Sequence, residues 1–344
     1  MLRFNLNQNQ FSDLINLTNN VFFPLTNFVT KSEFGSIIKK MKLNNNFFPF
    51  PIFFGMNVKD FSKYRNQDEL NFFYKSKRVA KVKKVIFYSF DKKAFGKKIY
   101  GEKFQKHPYF KKFYVENYKF LSFEIEKLYN QNLDKRYFVS PQNFLKKNNT
   151  KFLPAFHTRN VPHTAHQRIH EILLKKYNSL LIQPLIGQYK TGEYKDDIII
   201  NLNKIAAKSY KNKKVFVLPF FSYPRYGGPR EAALHAIVRR NYGCTHFWVG
   251  RDHAGYKSFF RKYESQNFCK KIQNKLKIKI IGEKELYYCS KKKIIVNECQ
   301  CKNNCKISIS GTQVRKKVIA NENISAIYMP ELISKYLKKN TLIN

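Results

Sequence analysis

No apolar run in the 344-residue sequence approaches the ~18 residues a membrane-spanning helix needs. The nearest candidates, 47–56 and 215–221, are short and broken by proline. The opening residues, MLRFNLNQNQ, lack the apolar core of a secretory signal, so a cytoplasmic location is expected. Cysteine is scarce too. Cys244 and Cys269 stand apart from the rest, which excludes a disulfide framework; the other four, Cys289, Cys299, Cys301 and Cys305, cluster late in the chain. Acidic side chains are the largest shortage: 23 Asp and Glu face 65 Lys and Arg, for a formal charge of +42.

That charge invites a nucleic-acid reading, but its distribution argues otherwise. Only 13 of the basic residues are Arg, and the Lys are scattered from end to end. Nucleic-acid binders gather charge on one face and interleave aromatics or Arg at contacts. Here Lys is abundant together with Asn, Ile, Phe and Tyr, the set an A/T-rich genome produces without selection for binding. No specific nucleic-acid partner is expected. The field should still attract anions, and salt should weaken the attraction. With 43% apolar residues, including 33 Phe and 22 Tyr, the chain can fill two or three packed units.

Residues 1 to about 130 mix Phe- and Val-rich runs with charged stretches. FFPFPIFF and VAKVKKVIFYSF read as strands, GSIIKKMK and YKFLSFEIEKLY as helices. The polar stretch 131–150 reads as a linker. From KFLPAF (151–156) onward, strands alternate with helices. A helix from about His163 to Tyr177 is followed by the strand SLLIQPLI, a helix over DIIINLNKIAAKSY and the strand KVFVLPFF. A further helix, PREAALHAIVRRNYG, leads to the strands HFWVG and KIKIIG, and a last helix is expected near PELISKYLKK. This alternation predicts a parallel, doubly wound α/β sheet with ligands at the carboxyl ends of its strands.

The polar residues follow that rule. Seven of the eight His and seven of the 13 Arg lie between positions 157 and 253. Arg in a chain that otherwise uses Lys marks places where a planar fork is useful for oxyanions. In HTRNVPH, Arg159 reads as an oxyanion clamp or a solvated surface group, and Asn160 as a ribose or phosphate contact or a loop cap. His163 and His166, three apart at a helix start, read as phosphate partners, as core histidines or as two metal ligands. In GRDHAG, Arg251 supplies a second guanidinium, Asp252 can orient Arg or His, and His253 is a phosphate partner or a structural His. Arg230 and Glu231, which open the helix PREAALHAIVRRNYG, are explained by a salt bridge between them.

Taken together, FHTRNVPHTAH, LLIQPLIG, YGGPREAALHAIVRRNYGCTHFWVGRDHAG and ISGTQVR resemble the ATP sulfurylase (sulfate adenylyltransferase) family. VFFPLTNFVTKSEF and HPYF at His107 look like its early segments, so the resemblance spans about residues 20 to 320. It implies a mixed, β-rich, PUA-like N-terminal domain at 1–130, then the linker. A Rossmann-like parallel-sheet catalytic domain of the HxGH nucleotidyltransferase type would follow at 151–282, with Ala165 for the family's Gly, and a small C-terminal subdomain at 283–344.

The implied reaction is ATP plus sulfate giving adenosine 5′-phosphosulfate plus pyrophosphate, by in-line attack of sulfate on the α-phosphate with no covalent intermediate. Mg²⁺ would accompany ATP, and its direction in the cell is left open. His157, Arg159, Arg251 and the backbone N–H of Ala254 would hold sulfate. Asn160, His163, His166, Gly250, Asp252, Ser310, Gly311 and Thr312 would line the nucleotide, with the loop SGTQVR (310–315) near the adenosine. A homo-oligomer is expected, and a fused kinase domain beyond residue 344 is not. Two other readings compete: an HxGH-type adenylyltransferase with another acceptor, and a basic nucleic-acid binder on a degenerate enzyme fold.

Three departures from the family pattern stand out. His157 replaces the family's Gln, Gln183 replaces its His, and the proline of its RNP comes one place later, at Pro162. The first two exchanges are opposite in sense, which suggests a swapped pair facing one pocket. Some family members carry zinc before ISGT. Here Lys292 takes the second ligand position, and Cys289, Cys299, Cys301 and Cys305 form either a tetrahedral thiolate set for Zn²⁺ or a degenerate group of free thiols.

Overall fold

The computed structural model describes residues 2–129, 139–187, 191–301, 304–338 and 341–343. The expected linker at 131–150 lies partly outside them. The chain forms two compact units that do not follow its order. Residues Met1–Asn148, Pro224–Gly243 and Arg251–Ile280 form the first; Asn149–Tyr223, Cys244–Gly250 and Ile281–Asn344 form the second.

In the first unit, the strands Arg3–Asn5, Leu70–Tyr74, Lys77–Tyr88, Lys119–Leu128 and Phe54–Met56 pair in that order. The first pair is parallel and the rest are antiparallel. The core is a mesh of Phe rings. Phe72 is fully buried, stacks on Phe54 at 5.3 Å and meets Phe123 edge-on at 5.2 Å. Rings in such offset and edge contacts add stability beyond the area they bury.

Two expectations for this region are corrected. YKFLSFEIEKLY is not helical; Lys119–Leu128 is a strand, since its aromatic and β-branched residues pack better on a pleated surface beside Lys77–Tyr88. FFPFPIFF is a strand only at its edges, because Pro49 and Pro51 lack the N–H a ladder needs. The expected helix over GSIIKKMK is present as Lys31–Lys40. Gly228–Asn241 also belongs to this unit, and its middle is buried all round.

In the second unit, Lys214–Val217, Ser179–Ile186, Pro154–Thr158 and His246–Trp248 form a parallel sheet in that spatial order. Phe220–Phe221 continues beside Ser179–Ile186 after Leu218-Pro219 interrupts the preceding strand. The chain starts at Pro154–Thr158, steps outward twice through the helices Thr164–Tyr177 and Asp196–Lys208, then returns to the other side at His246–Trp248. The strand order therefore reverses between Pro154–Thr158 and His246–Trp248, where sheets of this kind bind ligands. Tyr287–Cys289, Ile294–Val296 and Lys306–Ser308 make a small antiparallel sheet near the end of the chain. The last expected helix is short, Glu331–Ser334. No helix among the described residues is long and apolar enough to cross a membrane.

Candidate active site

The second unit supplies a loop and two helix starts. The strand Pro154–Thr158 ends just before Arg159, and the Thr158 hydroxyl accepts from Asn160 N–H at 3.0 Å, which turns the loop. His163 caps the helix Thr164–Tyr177: its Nδ1 accepts from the His166 amide at 3.3 Å. The Thr164 amide donates to Tyr328 O at 3.0 Å. Two of the first three helical amides are thus already used, so this helix start offers fewer free donors than its sequence suggests.

The His163 and His166 rings stack with centroids 3.6 Å apart. Burial, then the Arg315 charge, brings the His163 pKa down to about 4; burial, then His163, takes His166 well below its ordinary value. Both rings are neutral at pH 7. Because His163 Nδ1 accepts, its proton sits on Nε2, which leaves that nitrogen as a donor. His170 extends the row; burial lowers it to about 3, and its Nδ1 meets the Tyr210 hydroxyl at 3.0 Å.

Asn160 is held from the other side. Arg315 donates to its Oδ1, and a Cβ at Gly311 would fall 2.4 Å from its Cγ. Gly311 opens the helix Gly311–Ile319, whose cap is Ser310, accepting from Gln313 N–H at 3.3 Å. Arg315 also reaches Thr312 Oγ1 at 3.4 Å and lies 3.8 Å from Glu193. The structure thus brings Asn160, His163, His166, Ser310, Gly311 and Thr312 together around Arg315. SGTQVR (310–315), expected as a loop near the adenosine, is instead the start of this helix, and its Arg315, not itself expected as a contact, ties the group together.

His157 and Gln183 occupy adjacent strands in register, as Cα partners. Gln183 is fully buried, and neither side-chain polar atom has a hydrogen-bond partner. Gly250 closes this unit's part of GRDHAG, and a Cβ there would meet nothing within 4 Å.

The rest of that motif belongs to the first unit. Asp252 grips Arg251, with Oδ2 2.6 Å from Nε and 2.5 Å from an Nη. Ala254 takes a left-handed backbone (φ +58°) and its carbonyl accepts from Gly228 N–H at 3.0 Å. His253 Nε2 lies 3.0 Å from His235 Nδ1, and His235 Nε2 is 3.7 Å from Glu231. Arg230 and Glu231 do not pair: the guanidinium donates to Ile37 and Ile38 carbonyls, and the carboxylate accepts from the Arg225 and Gly227 amides at 2.8 Å each. Desolvation lowers the Arg230 pKa to about 10.

The four clustered cysteines fit one metal ion. Their sulfurs all lie within 4.8 Å of one another, with Cys289–Cys301 at 3.8 Å and Cys299–Cys305 at 3.3 Å. Four thiolates about 2.3 Å from a tetrahedral zinc would be separated by about 3.8 Å. The Lys292 amide points at Cys289 Sγ at 3.4 Å, so the residue in the second ligand position contributes its backbone.

A parallel sheet whose strand order reverses beside its first strand, with a loop arginine and a paired-imidazole helix start at that strand's end, defines an α/β catalytic domain of the HxGH nucleotidyltransferase type. A PUA-like domain precedes it, matched over residues 1–128. The ATP-sulfurylase family model matches residues 137–340, and the chain belongs to that family. It is 32% identical over 317 residues to the sulfate adenylyltransferase of Pyrococcus abyssi, covering 90% of this chain and 83% of that protein. It is 29% identical to that of Hyperthermus butylicus, covering 95% and 86%. In fold it is similar to a solved hexameric APS kinase from Thiobacillus denitrificans, at a TM-score of 0.72 and 15% identity; the match covers 97% of this chain and spans 62% of that one.

Proposed function

We propose that this protein is a sulfate adenylyltransferase, joining sulfate to the AMP part of ATP and releasing pyrophosphate. Membership of the ATP-sulfurylase family and about 30% identity to proteins of that name over most of the chain support the activity. The observation that carries the site is the neutral His163–His166 stack held beside Asn160 and Gly311 by Arg315.

Sulfate is already an anion and needs no general base. The barrier comes from bringing two anions together and from charge growing on the α-phosphate and the leaving pyrophosphate. In our reading, Arg159, Arg251, His157 and the Ala254 amide hold sulfate. Asn160, Gly250, Asp252, Ser310, Gly311 and Thr312 seat the nucleotide. His163 Nε2–H and His166 donate to phosphate oxygens as charge develops, and their neutrality makes them directional donors rather than fixed charges. Sulfate would attack in line, with no covalent intermediate, and the site can run in either direction. Mg²⁺ comes with ATP and neutralises its phosphates. Zinc on Cys289, Cys299, Cys301 and Cys305 would pin the small antiparallel sheet, since Cys289 ends one of its strands and Cys305 precedes another. We divide the chain into a PUA-like domain to about 130, a linker to 150, a catalytic domain to 282 and a C-terminal subdomain beyond, and expect a homo-oligomer in the cytoplasm.

The test is pyrophosphate release from ATP and Mg²⁺ with and without sulfate, repeated with Arg251→Ala. Sulfate-dependent release that collapses in the variant is expected. Release indifferent to sulfate, or an Arg251→Ala enzyme as active as wild type, would overturn the assignment.

A further inference from the structure

Gln183 is the fifth residue of the strand Ser179–Ile186, in which every residue is buried. Its carboxamide is sealed from solvent, with Oε1 and Nε2 both unbonded. A buried amide without partners costs stability, so an apolar side chain of similar volume would make the better core residue. The strand's other side chains are apolar or small, and their packing shows which way the amide points. Leu180 and Ile182 cluster with Phe156 and with Leu173 and Leu174 of the helix Thr164–Tyr177. Side chains alternate along a strand, so Gln183 projects from the opposite face, and so does its register partner His157, next to Phe156. The His157 ring lies 6.2 Å from Phe220, on the strand beyond. His157 is one residue short of the strand end at Thr158, after which Arg159 begins the loop. An amide and an imidazole therefore stand side by side, level with the end of the strand Pro154–Thr158 and at the foot of the proposed anion loop.

We propose that Gln183 is a specificity-determining residue for the oxyanion substrate, its Nε2 donating to an anion oxygen held beside His157. The proposal rests on the sulfate reading of the same site. A carboxamide adds direction without charge. Its loss should therefore weaken binding of the small anion, whose few oxygens each need a donor, and leave ATP binding unchanged. It also explains why a strand otherwise built as core keeps a residue that destabilises it.

The test uses the full chain with Gln183→Met, which keeps volume and loses both hydrogen-bonding atoms, and Gln183→Glu, which replaces the donor by a negative acceptor. Gln183→Met should melt about 2 °C or more higher, raise the sulfate KM about tenfold and leave the ATP KM within about twofold. Gln183→Glu should raise the sulfate KM further. Melting is also compared in sodium sulfate and in sodium chloride at equal ionic strength. The extra stabilisation by sulfate should be smaller in Gln183→Met than in wild type, as a tenfold weaker site requires. A Met variant that is more stable with unchanged sulfate KM and an unchanged sulfate shift overturns the proposal, because the amide is then served by buried water. If the Met variant does not fold, an unchanged sulfate KM in Gln183→Glu overturns it equally. Failure of the wild-type enzyme to turn over ATP and sulfate would sink the functional reading instead, and the melting comparison still decides whether Gln183 reads an anion.

Discussion

The two units differ in what dominates their interiors. The first fills its interior with Phe, and its buried charges are answered within it: Arg225 pairs with Asp13, and Arg230 donates to carbonyls. It also buries two imidazoles: His235, beside Glu231, and His107, stacked 4.3 Å from Tyr100 with neither ring nitrogen bonded. The second unit also has apolar clusters, but it buries His163 and His170 at and within one helix and Gln183 inside a strand. Imidazoles and an amide are poor core material. Where a chain keeps them inside, something other than packing selects them. The Phe mesh of the first unit is there for stability, and the imidazole row of the second is there for chemistry.

The sharpest way to break this contrast is one substitution on each side. Phe72→Ala, which empties a fully buried ring site, should cost about 3–5 kcal/mol in denaturant unfolding and leave kcat/KM of the folded fraction unchanged. Arg159→Ala should do the reverse, lowering kcat/KM for sulfate by roughly 10²–10³-fold at nearly unchanged melting temperature. If Phe72→Ala damages turnover as much as Arg159→Ala does, the division of labour is wrong.

Acid sharpens it next. The folded-state pKa of His163, about 4, lies below the ~6.5 of a free imidazole. The unfolded chain therefore takes up protons first. The stability due to its burial is complete above about 6.5 and is lost as pH falls toward 4, by about 1.4 kcal/mol per pH unit within that window. Melting curves from pH 7 to 4.5 should show the loss, and His163→Gln should flatten it; an unchanged slope would mean that His163 is not buried neutral.

A smaller effect concerns His157 and Gln183. As register partners on one face, His157→Gln, Gln183→His and the double variant should show a coupling of about 0.5–3 kcal/mol in kcat/KM for sulfate. Simple additivity would mean the two do not share a ligand. The least effect expected is at the first residue of the helix Thr164–Tyr177. Thr164→Ser keeps a hydroxyl to donate to Ile327 O, 2.6 Å away in the native chain, and should change melting by less than Thr164→Val does.

Much of the second unit was legible in the sequence because its strands and helices alternate with clear periods. SLLIQPLI is the strand Ser179–Ile186, and the helix expected from about His163 begins at Thr164. The first unit was harder. YKFLSFEIEKLY satisfies both a helical and a strand period, and only a neighbouring strand decides between them. In FFPFPIFF the aromatic content outweighed the prolines in the reading, whereas the ladder hydrogen bonds weigh the prolines more. In the site, the types and order of Arg159, Asn160, His163 and His166 were visible. The segment carrying Arg315 was visible too, but not what Arg315 holds, since its partners Asn160 and Glu193 lie far from it in the chain.

The sequence by itself determined the family, the alternation of the catalytic sheet and the residue types the chemistry needs, because those are local: spacing, period and donor inventory. Only the tertiary structure decided that His163 and His166 are neutral, that Asn160 lies against Gly311, and that Gln183 stands beside His157 with its amide unbonded. Desolvation and register depend on what packs around a residue, and no window of neighbours along the chain contains that information.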